Sequence, residues 1–512
     1  MTLIKKIFNM ILILIGIAFL VALAGFAIMM IGHVSLFGYT YISLNHKIEA
    51  QTFNPIELKE INVETPNIDV RILNSSDATL TYGAYSIRVD MQGIVKDSIK
   101  KVSFINEESY YSNGVLNLKT TAPDGLLFKN NTILEIVLPK NLSAKTVKIV
   151  TNRNVNFGSS DFVVDNLEIT ASKKFLNSPI SLGSNITINE KLTLNTNYGR
   201  IIVNSKINGD LKVNSLAGSV LVNTNVGGDV DITGSNPMVE IGSIPGKWRN
   251  KKDISSSDIS NLKAVNVSGN LIIHELEGGG NVKVSGSVKN VSVTESPSVE
   301  FWGVNVSRLT CSDGSNNIRI FGMLGDGSLS SSTLNIGEGS LFINSCTNII
   351  NITAQKGDIY IADAQNNVNI ESKNGSSTVH FNKDVSNKSV TITNDNHNIE
   401  VTNINGVANL TAKKGKVTAT FLKVVGQNNI YAQRNIDVKV KDGSTFKLIT
   451  KAKAGGVDVN MSPVMYTNWD GAVNEDGWKV KTNIINDNGA ATDNELLLQM
   501  NGNDKITASL YA

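Results

Sequence analysis

Few residues in this chain are equipped for chemistry, and their spacing limits what they can do. Asp210 and Asp229 each follow a turn glycine, Gly209 and Gly228, and stand one step of 19 residues apart. Two carboxylates held within about 5 to 10 Å of each other could divide glycosidic cleavage into acid and base roles. That division needs environments that push the two pKa values apart, and two equivalent turn corners offer the same one twice. One carboxylate per repeat is also a poor cage for Ca²⁺. The Gly-Gly-x-Gly-x-Asp signature of calcium-binding repeats is missing, since Gly278-Gly279-Gly280 runs on as Asn281-Val282. Asp210, Asp229 and Asp358, which follows Gly357, therefore read as short polar caps on turns.

The five histidines, His33, His46, His274, His380 and His397, are scattered with no x-x-x-His pairing, so each reads as a surface or turn residue rather than a ligand or base. No Gly-x-Ser-x-Gly elbow or phosphate loop occurs. Cys311 and Cys346, the only two cysteines, rule out a disulfide framework. At 35 residues apart they lie about two repeats, or near 10 Å, from each other, beyond the roughly 7 Å reach of a bridge. The expectation is no catalytic residue, no cofactor and no metal. One cluster has the makings of a partner contact: Lys247, Trp248, Arg249, Lys251 and Lys252, in a Ser-rich insertion spanning 245–261. Loops that bulge from repeats often carry binding, but five residues are a small patch, and a solvated connection is the competing reading.

The elements that position these residues are short strands. Leu192-Thr193-Leu194, Leu211-Lys212-Val213 and Val230-Asp231-Ile232 alternate apolar and polar residues and recur in steps of 19. Second runs follow at Ile201-Ile202-Val203, Val220-Leu221-Val222 and Val239-Glu240-Ile241. Such a unit cannot bury its apolar face alone, so neighbours must stack, and the pattern predicts an all-β parallel β-solenoid (β-helix) with rungs of roughly 20 residues. After the insertion, triplets at Ile352, Val368, Val390, Leu410 and Ile430 continue in steps of 16, 22, 20 and 20. From Leu167 to Asn460 this predicts about 15 rungs, a rod of about 70 Å. The Tyr466, Trp469 and Trp478 cluster, with an expected hairpin of Glu495–Met500 and Ile506–Tyr511, predicts a cap over the last rung.

Charged residues make up 18% of the chain, and Asn, Ser, Thr and Gly take their place. With 47 basic and 45 acidic residues the net charge is +2, too weak a field to gather nucleic acid. At the amino terminus, Met10 to Ile31 carries no charge and as a helix spans about 33 Å, enough for a bilayer core. Lys5 and Lys6 precede it, which predicts a cytoplasmic amino terminus and an extracytoplasmic remainder. Ala22-Leu23-Ala24 has the form of a signal-peptide cleavage site, the alternative reading, although the apolar run continues past it to Ile31. The expected organisation is a tip and transmembrane anchor at 1–45, an irregular β region at 46–174, the repetitive solenoid at 175–460 and a β cap at 461–512.

Ile68-Asp69-Val70-Arg71-Ile72 after a polar turn, a strand closing on Leu138-Pro139-Lys140, then Val147-Lys148-Ile149-Val150-Thr151 and the 19-residue ladder resemble a bacterial adhesin-like family over about residues 56 to 460. The resemblance implies a parallel β-solenoid head behind a membrane helix. It brings no catalytic residue with it, and the chain departs from the family pattern in its length and in the 245–261 insertion. The functional expectation is a single-pass membrane protein displaying a non-enzymatic, adhesin-like or envelope-structural solenoid toward a surface glycan or protein. A polysaccharide-active β-helix enzyme and a self-assembling scaffold are the rivals.

Overall fold

The computed structural model describes residues 2–32, 35, 38–54, 58–65, 68–75, 80–96, 109–120, 125–139, 144–158, 162–171, 180–197, 199–216, 218–234, 238–242, 265–276, 281–293, 298–315, 317–325, 331–461, 464–468, 477–485 and 493–512. The described chain is all-β apart from one amino-terminal helix, Thr2–Gly32. Its Ile7–Gly32 part has a mean hydropathy of 3.0 and no buried share, so by length and composition it can cross a membrane or serve as a signal sequence. The rest divides into two compact units, Met1–Asn208 and Gly209–Ala512.

Period-two alternation makes the strands, and parallel pairing buries them. In the second unit a strand commonly lies between the strand two places before it and the strand two places after it: Leu341–Cys346 pairs with Asn317–Leu324 on one side and Ile359–Ala364 on the other. Register is kept so closely that one inward column can be followed as Val213, Ile232, Ile273, Val293, Cys311, Leu334, Ile352, Ile370, Ile392, Leu410 and Ile430. All of these are buried. Column stacking of this kind is what a strand with one apolar face demands, because each level covers the next. The pairing also crosses the 245–261 insertion without losing register, since Val230 pairs with Leu271 and Ile241 with Val284.

Two of the expected spacings are corrected by this register. Ile352 aligns with Ile370, and Ile392 with Leu410, so both steps are 18 residues rather than 16 and 20. A slip of two residues keeps every side chain on its own face, which is why alternation alone does not expose it. Turns between levels use glycine where backbones touch. Gly357 (φ +114°) and Gly375 (φ +150°) are stacked, and a Cβ on Gly375 would lie 1.9 Å from the Gly357 carbonyl oxygen.

Both described ends of the parallel ladders have an unexpected order. In the first unit, Glu60–Thr65 lies between Val115–Lys119 and Ala144–Thr151, and Asp69–Asn74 lies between Ile133–Leu138 and Val155–Phe157. In the second, the carboxyl-terminal strands do not pair with each other as the expected hairpin. Glu495–Met500 pairs with Gln427–Ala432 and Phe446–Ala452, whereas Lys505–Tyr511 pairs with Ile436–Lys441 and Gly456–Asn460. The outer position falls to Phe446–Ala452, which is covered by the antiparallel strand Lys479–Ile485 and through it by Val464–Asn468.

Candidate functional site

The basic loop residues Lys247, Trp248, Arg249, Lys251 and Lys252 lie outside the described residues, as do His33, Trp469 and Gly278 to Gly280. The other expected positions are in place. Asp210 and Asp229 do form a stacked pair, but their carboxylates are already used. Asp210 Oδ1 accepts the Asp229 backbone N–H at 2.9 Å, and Asp229 Oδ1 accepts the N–H of Asn270 at 2.7 Å. Asp358 does the same for Ser376 at 2.8 Å, Asn317 for Ser340 at 3.1 Å, and Asn398 for Lys416 at 3.0 Å. These side chains cap the next level of the ladder rather than only their own turn. The chemistry explains the choice of Asp or Asn: a short side chain with an oxygen acceptor reaches one strand spacing along the ladder.

Cys311 and Cys346 are both free thiols, buried in different inward columns, as expected. Burial pushes the Cys346 thiol up to about 12 and raises Cys311 further, so neither is a nucleophile at neutral pH. His46 and His397 are exposed. His380 sits on a strand, where its Nδ1 shares a 2.6 Å hydrogen bond with Thr402 Oγ1 and its ring meets Tyr360 edge-on. Among the described residues no group of three or more His, Cys, Asp or Glu is placed to hold a metal.

Two outward strips of the second unit gather the remaining chemistry. The first runs in register through Glu240, Lys283, Glu300, Arg319, Phe342 and Tyr360. Lys283 Nζ lies 3.1 Å from Glu300 Oε2, and Arg319 Nη1 lies 3.8 Å from Oε1, so each carboxylate oxygen faces a cation. The Glu300 side chain is only 12% exposed, which makes these pairings necessary to keep it charged. Glu240 and Glu300 are two levels apart, a separation of about 9 to 10 Å, within reach of an inverting glycosidase geometry. Lys283 occupies the level between them, where a scissile bond would have to lie. The aromatic end stacks Phe321, Phe342 and Tyr360 at centroid distances of 5.2 and 5.5 Å, the Phe342–Tyr360 planes being 4° from parallel. Their ring faces are turned toward each other, so the strip presents edges rather than a free stacking platform.

The second strip is Thr333, Asn351, Asn369, Thr391, Asn409 and Asn429, again one per level. Asn369 donates to Asn351 at 2.8 Å and Asn429 to Asn409 at 3.0 Å. Each carboxamide keeps donor and acceptor capacity beyond that one bond. Beside it runs a second file, Asn335, Thr353, Glu371, Thr393, Thr411 and Tyr431. A shallow groove of about 240 Å³ opens there among Thr353, Glu371, Lys373, Thr393, Asp395 and Lys413. Lys413 Nζ lies 2.8 Å from Asp395 Oδ1, and that hydrogen bond raises the Lys413 pKa above its ordinary value.

No family model, curated protein or solved structure matches this chain. Sequence reasoning had missed both strips, because they emerge only when six or more levels are aligned. The signal was present in the Ile-Asn-Ile, Val-Asn-Ile, Val-Thr-Ile and Ala-Asn-Leu centres, each with Asn or Thr between two inward apolar residues.

Proposed function

We propose that the chain is a membrane-anchored parallel β-solenoid, adhesin-like and non-enzymatic, whose outer faces bind a repetitive, hydroxyl-rich polymer such as an envelope glycan. The observation that carries this is the Thr/Asn strip: neutral hydrogen-bonding groups repeating at the strand spacing of about 4.8 Å over six consecutive levels. A rigid, periodic row of donors and acceptors suits a periodic partner, since ordering costs are small when neither side has to rearrange. The solenoid reading is supported by the in-register inward columns and by inter-level Asp and Asn caps. The anchor reading is supported by the fully exposed apolar helix, with Lys5 and Lys6 placing its amino terminus in the cytoplasm and the solenoid outside.

The test uses the full chain in detergent against immobilised polysaccharides of defined composition. Binding to at least one polymer, lost in Asn369→Lys and Thr391→Lys with the thermal midpoint unchanged, is the expected result. Shortening of a polymer on incubation would instead favour the polysaccharide-active enzyme, and concentration-dependent fibres would favour the self-assembling scaffold.

A further inference from the structure

The carboxyl-terminal segment fills a slot that the fold had no need to leave open. Its two strands, Glu495–Met500 and Lys505–Tyr511, lie between two levels that follow one another directly in the chain, 427–441 and 446–460. Those flanking levels match each other. Asn428, Ile430 and Ala432 face inward on the first, and Leu448, Thr450 and Ala452 face inward on the second, a constant offset of 20 residues. The same 20-residue offset joins Leu410 to Ile430, which do stack directly. Nothing in their alternation therefore prevents the 446–460 level from pairing with the 427–441 level without an intermediary.

The insertion is closely fitted on both sides. Glu495 N–H donates to the Gly426 carbonyl at 2.8 Å, and Lys447 N–H donates to the Asn494 carbonyl at 2.9 Å. Asn494 Oδ1 accepts the Gly426 N–H at 2.8 Å, and Lys505 N–H reaches Asn435 Oδ1 at 2.9 Å. Lys447 pairs with Glu495 at 3.3 Å and Lys505 with Asp458 at 2.8 Å. Leu496, Leu498, Met500, Ile506 and Ala508 are buried. At Gly502 a Cβ would meet the Gln433 carbonyl oxygen at 1.9 Å, so the backbone there enters as closely as glycine allows.

We propose that the 427–441 and 446–460 levels form a strand-binding slot with two packings, and that residues 495–511 are its resident ligand. In the open packing the segment is inserted, as observed. In the closed packing the flanking levels pair directly and the last strands are released as a free extended tail. The flanking levels precede the segment in the chain, so the closed packing is available before the carboxyl terminus is complete. Insertion then adds a ladder on each side and buries five apolar side chains, which favours the open packing at rest. Strand insertion into an existing sheet is a recognised class of two-state transition.

Cross-linking in the full chain separates the packings. Asn429, Leu497 and Ile449 share one outward column in that order. Asn429 and Ile449 are thus two strand spacings apart, about 9 to 10 Å, beyond the roughly 7 Å limit for a disulfide, but would be neighbours in the closed packing. Asn429→Cys with Leu497→Cys should cross-link readily, reporting the open packing. Asn429→Cys with Ile449→Cys should cross-link only in trace, and adding Leu498→Asp, which bars the segment from the core, should make that bridge the major product. Amide protection at Ile392 and Leu410 shows whether the preceding levels stay folded in the triple variant. Absence of the 429–449 bridge while that protection persists would overturn the proposal, as would a 429–449 bridge forming as fast as the 429–497 bridge without Leu498→Asp.

Discussion

At the scale of single residues the inward and outward assignments carry different energies. Val213 is fully buried, and Asp in its place would put an unpaired charge between levels at a cost of about 3 to 5 kcal/mol. Lys212 beside it is half-exposed, with Nζ 3.8 Å from Asp231 Oδ2, a pair worth about 0 to 1 kcal/mol. Urea titration should therefore separate Val213→Asp from Lys212→Ala by several kcal/mol, whereas equal losses would contradict the register. Lys212→Asp is a poorer control than alternation suggested, because it sets two carboxylates opposite each other in the ladder. The buried thiols give a second prediction. With the Cys346 pKa raised to about 12, only roughly one thiol in ten thousand is thiolate at pH 8, and Cys311 ionises less still. Alkylation by iodoacetamide, read by mass spectrometry, should leave both cysteines unmodified in the native chain and modify both in guanidinium.

At the scale of elements, the corners are the vulnerable points. Gly375→Ala combines a positive φ with a Cβ driven into the Gly357 carbonyl, so it should lower the thermal midpoint. The loss should be of the order of 1 to 3 kcal/mol. Gly443→Ala is the control: its φ is also positive, but a Cβ meets nothing within 4 Å, so only the backbone term remains. What the sequence made legible also divides at this scale. Alternation revealed which residues of Leu211-Lys212-Val213 are buried, and a 19-residue step placed Leu211 under Val230, because side-chain period and level period are both written locally. The steps around Ile352 and Leu410 were misjudged by two residues, since a two-residue slip preserves every face. The neighbours of Glu495–Met500 were not legible at all. A strand's pattern states which face is covered, not which strand does the covering, and hairpin proximity was outweighed by two parallel ladders. The Thr/Asn strip stayed hidden for a related reason: its members are ordinary polar strand residues until register lines them up.

At the scale of the whole molecule, the apolar helix predicts behaviour that composition of the remainder does not. The full chain should sediment with membranes and be released by detergent but not by high salt, while a chain starting at residue 46 should stay in the supernatant. Recovery of the full chain in the salt wash would remove the anchor from the reading. Within each unit the described ladder also has its chain end tucked one level in: 60–74 in the first unit, 495–511 in the second. Terminal levels are thus built from segments held at both ends by the chain, with antiparallel strands laid over them. This arrangement bears on how such a protein can change in length over generations. Steps of 18, 19 and 20 residues already coexist between stacked levels, so copying or deleting one unit inside a ladder leaves both closures untouched. Tandem duplication would then extend the Thr/Asn row by one more amide or hydroxyl at a time, and reach toward the partner could be tuned without inventing a new end.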